Sequence, residues 1–458
     1  LPLGSNRSWA LSLLAAAVWA GVALGLVQRR QALWQGRWPH AVRAAAPLLA
    51  LAFACSAWVA LQLALHNVWP AVFYTQDVHA TRLYLLRTLV YAGGMLWVAL
   101  AVRRRAHVLW VLGSVLGSGL LQSVLAVALY AHGQPFDFLF ERLEPQQRAS
   151  GTFVNPDHLA GHLELALSAG LGLMLALMSP GGAPRRGWRA HLTDVAAFVM
   201  SPKMLVRLSL VPLVIGLVMT RSRMGNGAFF MGIVLVGLMV AWRSTQWRRP
   251  ALFLVASMLV VDLVVIGQWV GLDAVVKRVS GTAEASSSTL ANLGLSGKAP
   301  PPTEGSLQER LMGPMAALPL VAERPVGGWG GGNFALAFAP IKPDSVYHGW
   351  WDHAHNDFIQ VAVDMGLPGL LLWLSIGFWA LRRILPLLGD GHAAVDRGVA
   401  VAALTALVCL GLHSWVDFNL QIPANALALS VLLALLAVLP GLASEPQRRR
   451  RLHSSREE

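Results

Sequence analysis

The stretch Trp350 to Leu372, WWDHAHNDFIQVAVDMGLPGLLL, sets His353 and His355 beside Asp352, Asn356, Asp357 and Asp364, and then runs into an apolar segment long enough to enter a bilayer. Ionisable groups at the mouth of a membrane helix are expensive to place and point to function. An imidazole titrates near pH 6.5, and neighbouring arginines lower that value, so a neutral His at pH 7 suits a general base. If the helix begins at His353, the two histidines stand about 200° apart around it and do different jobs. The plain structural alternative is a set of interfacial polar residues bonded to loop backbone. A metal site is a further reading, because His348, Asp352, His353, His355 and Asp357 are ligand types. No HExxH, paired-Cys or EF-hand spacing accompanies them, so acid–base use is favoured and no metal is assigned.

Three other places carry charge where charge is costly. Arg221-Ser222-Arg223 is a tight turn between apolar runs, and arginine forks match phosphate oxygens. Lipid headgroup contact by snorkelling is the alternative there. Arg310 follows Glu309 on an amphipathic stretch ahead of GGWGGGNF, where a surface Glu309–Arg310 pair competes with a functional role. That glycine run lacks a preceding strand and a P-loop Lys, so it reads as close backbone approach to a substrate or another helix. In GTFVNPDHLAGHLELAL, Asn155 caps a helix, Pro156 fits its first turn and Asp157 meets its positive end. His158 and His162 then share a face, with Glu164 beyond, and can line the same cavity. Arg87 lies inside another apolar run.

The elements that must position these groups are membrane spans. The 458 residues are 55% hydrophobic and only 13% charged, with a mean hydropathy of +0.55. The apolar residues fall in blocks of about twenty, the length that crosses a hydrocarbon core. The pattern predicts an all-α polytopic membrane protein and excludes a barrel, which would show short alternating segments. Eleven spans are readable, starting near residues 9, 44, 83, 108, 156, 204, 224, 251, 367, 398 and 422. With a cytoplasmic tail, eleven puts the start of the chain outside, so twelve is the expected total. The opening LPLGS, without Met, reads as a trimmed end and carries no argument.

Net charge is +13, but Lys and Arg sit in short loops, so topology explains them better than nucleic acid does, and no nucleic-acid partner is expected. Loops 28–43, 103–107, 179–203, 243–249, 382–397 and the tail share the cytoplasmic face. Loops 66–82, 132–155, the 221–223 turn, 272–352 and 413–421 share the other. The expected organisation is spans 1–8 over 1–271, a large outer loop over 272–352, a motif helix with the last spans over 353–442, and a basic tail over 443–458. Residues 280–305 read as a polar linker, and 191–200 as an interfacial helix. Cys55 and Cys409, both in apolar runs, imply no disulfide framework.

GTFVNPDHLAGH, TRSRMGNGAFF, the QER…GGWGGGNF run and HAHNDFIQVAVDMGLPGLLL stand in the order found in the O-antigen ligase/polymerase superfamily of bacterial envelope proteins, which the chain resembles over about residues 150–440. The resemblance implies a helical glycosyltransferase of the C type in the inner membrane, its active site facing the periplasm. It implies a glycan donor on undecaprenyl diphosphate and, for the ligase branch favoured here, a lipid A–core acceptor. The polymerase and protein O-oligosaccharyltransferase branches are the alternatives. Residue by residue, His355 matches the essential histidine, Arg223 the arginine of the Ser-Arg turn with Arg221 beside it, and Arg310 the arginine ahead of the glycine run. Asp157 stands where many members carry Asn. Asp352, His353, Asn356 and His158 are expected to line the site. Such a transfer needs no nucleotide or other cofactor, and single displacement predicts inversion at the anomeric carbon. A transporter is the reading from another class, but no inverted repeat or paired broken helices appear.

Overall fold

In hydrocarbon every backbone N–H and C=O must be bonded within its own segment, so apolar runs of this length become helices. In the computed structural model, described over residues 7–133, 148–178, 201–269, 307–343 and 351–442, ten helices are long and apolar enough to cross a membrane. They are α1 (Ser8–Val27), α3 (His40–Leu65), α4 (Val78–Ala101), α5 (Arg105–Ala131), α6 (Pro156–Leu177), α7 (Pro202–Met219), α8 (Arg223–Arg243), α13 (Asp357–Leu387), α14 (Ala394–His413) and the helix Pro423–Gly441, whose α-helical part is α15 (Pro423–Val438). A further helix, α9 (Arg248–Trp269), stands where the eighth span is expected. Short helices α2 (Arg30–Trp34), α10 (Leu307–Ala316), α11 (Leu318–Glu323) and α12 (Phe334–Phe338) complete the described α-helices, and a 3-10 turn spans Asn419–Gln421. The expected interfacial helix at 191–200, the linker at 280–305, His348 and the basic tail lie outside the described residues.

α6 is the axis of the bundle: its whole apolar window is buried, with α5, α7, α14 and α15 against it. Its backbone touches that of α14, where a β-carbon on Gly172 would lie 2.4 Å from the Gly398 carbonyl oxygen. Close approach of small residues is how helices associate where the solvent is itself apolar.

Within the described residues, polar groups from several loops meet at each end of the bundle. At one end Arg103 bonds Gln28 at 3.1 Å, Arg105 pairs with Asp396 at 2.9 Å, and Asp390 accepts from Ser244 and Thr245. Those hydrogen bonds from Ser244 and Thr245 hold the Asp390 carboxyl below its usual range. At the other end lie the starts of α4, α6, α8, α13 and α15.

α13 breaks at Gly366, where φ is +71°, a region open to glycine and strained for residues with a β-carbon. The glycine run fills the break. A β-carbon on Gly328 would lie 2.6 Å from the Gly366 nitrogen. Backbone groups at the break find partners outside the helix: Trp329 N donates to Val363 O at 2.9 Å and Leu367 N to Pro325 O at 2.8 Å. Gln62 Nε2 donates to Asp364 O at 2.9 Å, and Trp58 Nε1 to Met365 O at 2.8 Å. The Asp364 side chain accepts from the Asn333 and Phe334 amides at 3.1 and 2.9 Å. The run therefore serves close approach to another helix, one of its two expected uses, and Asp364 is a clamp for it.

Candidate functional site

Three helix starts frame the site, each capped by a short polar side chain. Asn155 accepts from the Asp157 amide at 2.8 Å and opens α6 with Pro156 in its first turn. Ser222 accepts from the Gly225 amide at 3.1 Å and opens α8. Asn356 accepts from the Ile359 amide at 3.0 Å and opens α13, while its amide donates to Trp415 O at 3.0 Å. The expected cap at Asn155 is as observed. The expected helix start at His353 is not: α13 begins at Asp357, so both histidines sit in the lead-in strand of loop, and the 200° separation does not apply.

The two imidazoles instead meet one ring. His353 stacks on Phe418 with centroids 4.1 Å apart and planes 20° apart, and His355 meets the same ring edge-on at 5.0 Å. Trp351 closes the other side of His355 at 5.2 Å, and His158 from α6 reaches Phe418 at 4.6 Å. Gln360 pins the loop by accepting from the Ala354 amide at 2.7 Å. Among the described residues, His355 (φ +50°) and Arg221 (φ +51°) are the two non-glycine residues with positive φ. Strained backbone of this kind collects at functional sites.

Behind the rings runs a buried chain of charge. Arg310 Nη2 donates to Asp157 at 2.7 Å and Nη1 to Asp417 at 3.4 Å. Arg148 also pairs with Asp157, and its Nε donates at 2.7 Å to Thr220 O, next to Arg221. The Arg221–Arg223 turn is thereby joined to the Asp157–Arg310–Asp417 set. Asp417, with no exposed surface, lies 3.7 Å from His158 Nε2 and 3.7 Å from His413 Nε2. His413 Nδ1 bonds Glu164 at 2.8 Å, deep between α14 and α6. Arg310 pairs across the fold: the Asp157 and Asp417 carboxylates come from α6 and from the loop after α14, while the Glu309 side chain lies outside the described residues. Asp417 and His413 are the residues that the sequence reading passed over.

The other predicted residues spread around this core. Asp352 is exposed beside His353. Asp357 is fully used as a clamp, accepting from Ser414 Oγ at 2.7 Å, the Leu420 amide at 3.1 Å and Gln421 at 3.2 Å, so the close-spaced ligand types do not share one point. His162 bonds Ser118 on α5 at 3.2 Å and packs on Phe153, whereas His158 reaches Phe418 and Asp417. Arg221 is exposed and bonds the Tyr130 hydroxyl at 3.1 Å, and Arg223 is exposed at the first turn of α8.

Burial lowers the pKa of both motif histidines. For His355 the lowering is helped by Arg310 and His158 and opposed by Asp417 and Asp352. For His353 burial, opposed by Asp352 and helped by Arg87, brings it to about 4. The arginine effect expected from sequence is present, but second to desolvation. Burial alone would raise Asp417, yet His158, Arg310 and His413 hold it well below the usual carboxylate range. The site therefore offers neutral imidazoles beside a fixed, charge-balanced cluster, an arrangement suited to taking up a proton.

Fold and site together define a multi-pass helical membrane protein with a polar, histidine-bearing site at one end of its bundle. Residues 208–374 match the family model described as O-antigen ligase, and the chain carries that family's domain there. The family implies glycosyl transfer. The matched segment contains Arg221, Arg223, Arg310, Asp352, His353, His355 and Asn356, whereas Asp157, His158, His413 and Asp417 come from either side of it. A search of curated proteins returns no match.

Proposed function

We propose that the protein is an O-antigen ligase of the inner membrane that moves a glycan from undecaprenyl diphosphate to lipid A–core on the periplasmic face. The observation that carries this reading is His355, a lowered-pKa imidazole held edge-on between Trp351 and Phe418, within the O-antigen ligase domain. His355 takes the proton of the acceptor hydroxyl as that oxygen attacks the anomeric carbon. The bond from that carbon to the diphosphate oxygen breaks in the same displacement, so the configuration inverts. The departing diphosphate carries its charge to Arg221 and Arg223 on the exposed turn, with Arg310 oriented toward it by Asp157 and Asp417. Asn356 and His158 hold the loop and ring that place His355. The activated bond is already in the donor, so this scheme needs no nucleotide.

The test is a reconstituted assay with purified donor and acceptor. Wild-type protein transfers glycan to lipid A–core, and His355→Ala lowers the rate by about 10²-fold or more. Normal transfer by His355→Ala removes the base assignment. A deletion strain with single-repeat caps on its lipid A–core, in place of uncapped core and accumulating lipid-linked polymer, makes the protein a polymerase.

A further inference from the structure

Glu164 and His413 are buried ionisable residues that the transfer scheme does not use. Neither has exposed surface. Glu164 follows Asp157 by seven residues on α6, which puts it on the same face, two turns or about 10 Å deeper. His413 ends α14, four residues before Asp417. Its Nδ1 is 2.8 Å from Glu164 Oε1, and its Nε2 is 3.7 Å from Asp417 Oδ2. The same Oδ2 is 3.4 Å from Arg310 Nη1, while Oδ1 is 3.7 Å from His158 Nε2. Oδ1 also accepts from the Phe418 amide at 2.8 Å, beside the ring that carries His353 and His355. The buried Nε2 atoms of His158 and His413 have no hydrogen-bond partner among the described residues, and Asp417 is the charged group that both face.

We propose that Glu164 and His413 are positioning residues of the transfer site, which hold the Asp417 carboxylate against Arg310 and His158. A buried ion pair is a weak source of stability, because well-packed apolar side chains of similar volume often serve as well or better. An apolar pair cannot aim a carboxylate. From α6, Glu164 fixes the orientation of the His413 ring, and the ring presents Nε2 to Asp417 on the loop after α14. Under the reading of His355 as the base, on which this inference rests, that orientation reaches the chemistry. The charged and titratable groups that face His355 are Arg310 from α10, His158 from α6, Asp417, and Asp352 and His353 from its own loop. Among these, Asp417 is the group that the pair holds, and Arg310 and His158 meet it.

Replacing the pair tests the proposal. Glu164 and His413 together carry no net charge, whichever of them holds the shared proton. Glu164→Gln combined with His413→Gln therefore removes the pair at constant net charge, and a change at His355 reports Asp417. A second double variant, Glu164→Leu with His413→Leu, gives α6 and α14 an apolar contact and is expected to keep the thermal unfolding midpoint, which shows that it folds. The titration of His355, which is partly exposed, is read on the full chain in detergent without donor or acceptor. Diethyl pyrocarbonate labels neutral imidazole, and peptide mass spectrometry gives the pH midpoint at His355. Asp417→Asn is expected to lower that midpoint, and each double variant to lower it too. Added to Asp417→Asn, either double substitution is expected to shift it no further. In transfer assays each double variant is expected to lower kcat about tenfold or more and to leave both KM values near wild type, because the groups it disturbs act in the transition state. A His355 midpoint that stays put in both double variants overturns the proposal, as does a shift that adds in full to that of Asp417→Asn. Midpoints that shift as expected, in a protein whose wild-type form transfers nothing to lipid A–core, sink the acceptor assignment and leave the positioning pair standing.

Discussion

The ring of Phe418 lies nearly parallel to that of His353, 4.1 Å away centroid to centroid, and so carries on its face the neighbour of the residue it touches edge-on, His355. Each aromatic contact of this kind contributes about 0.5–1.5 kcal/mol. Phe418→Ala releases three imidazoles at once and is expected to lower the transfer rate by about tenfold or more. Phe418→Tyr keeps the ring and most of the rate. A wild-type kcat for Phe418→Ala would show that the stack does not position the base.

Asp417 predicts a pH effect with a definite sign. His355 must be neutral to accept a proton, so the rate falls as pH drops through its pKa, which burial has moved below the ordinary value. The Asp417 carboxylate favours the protonated imidazole and so opposes that shift. In Asp417→Asn the acid limb of the rate profile should move to still lower pH. The thermal unfolding midpoint should fall as well, because breaking a buried ion pair on one side costs about 3–5 kcal/mol of stability. A limb displaced toward higher pH contradicts the assignment.

Gly366→Ala addresses the break in α13. The new β-carbon would lie 2.1 Å from the Val326 carbonyl oxygen, at a φ of +71°. The backbone conformation alone costs about 1–3 kcal/mol, and the clash adds to it. The thermal unfolding midpoint in detergent should drop by several degrees. Gly113→Ala, on α5 with nothing within 4 Å of the added carbon, is the control and should leave the midpoint unchanged or raise it. Equal midpoints for the two variants would mean that the glycine run does not depend on the break.

The two arginines of the outer turn should separate in kinetics. Arg221 is held by Tyr130, while Arg223 stands exposed at the first turn of α8. Both Arg223→Gln and Arg221→Gln are expected to raise the donor's KM and weaken its salt dependence, Arg223→Gln by about tenfold and Arg221→Gln by less. Wild-type donor kinetics for both variants would remove the turn from diphosphate binding.

The spans and the cap at Asn155 were legible because each is set by local composition: an apolar run, a polar residue before a helix. Partners were not. Arg310 was identifiable as a charge needing an explanation, but its carboxylates lie 153 and 107 residues away, and only tertiary packing brings them together. Asp417 offered one weak signal, an acid in a short loop between two spans. The histidine pair was misplaced because the helical pattern of α13 extends by apolar spacing across a point where Asn356 caps it. Arg87 was visible as a charge within a span, with nothing local to show that it reaches the Gln421 carbonyl oxygen.

The pair formed by Glu164 and His413 has a bearing on how the molecule is made. The two residues are 249 apart in the chain, both without exposed surface, and bond at 2.8 Å. A charged residue well inside a span is unfavourable in lipid by about 2.5–3.5 kcal/mol, so α6 enters the bilayer carrying a liability that only α14 relieves. Until most of the chain has been synthesised, α6 lacks the partner that settles it. The reaction centre above it is then incomplete too, because His158, on α6, and Phe418, just after α14, come together by the same event. Biosynthesis thus withholds the site until α14 has joined the bundle.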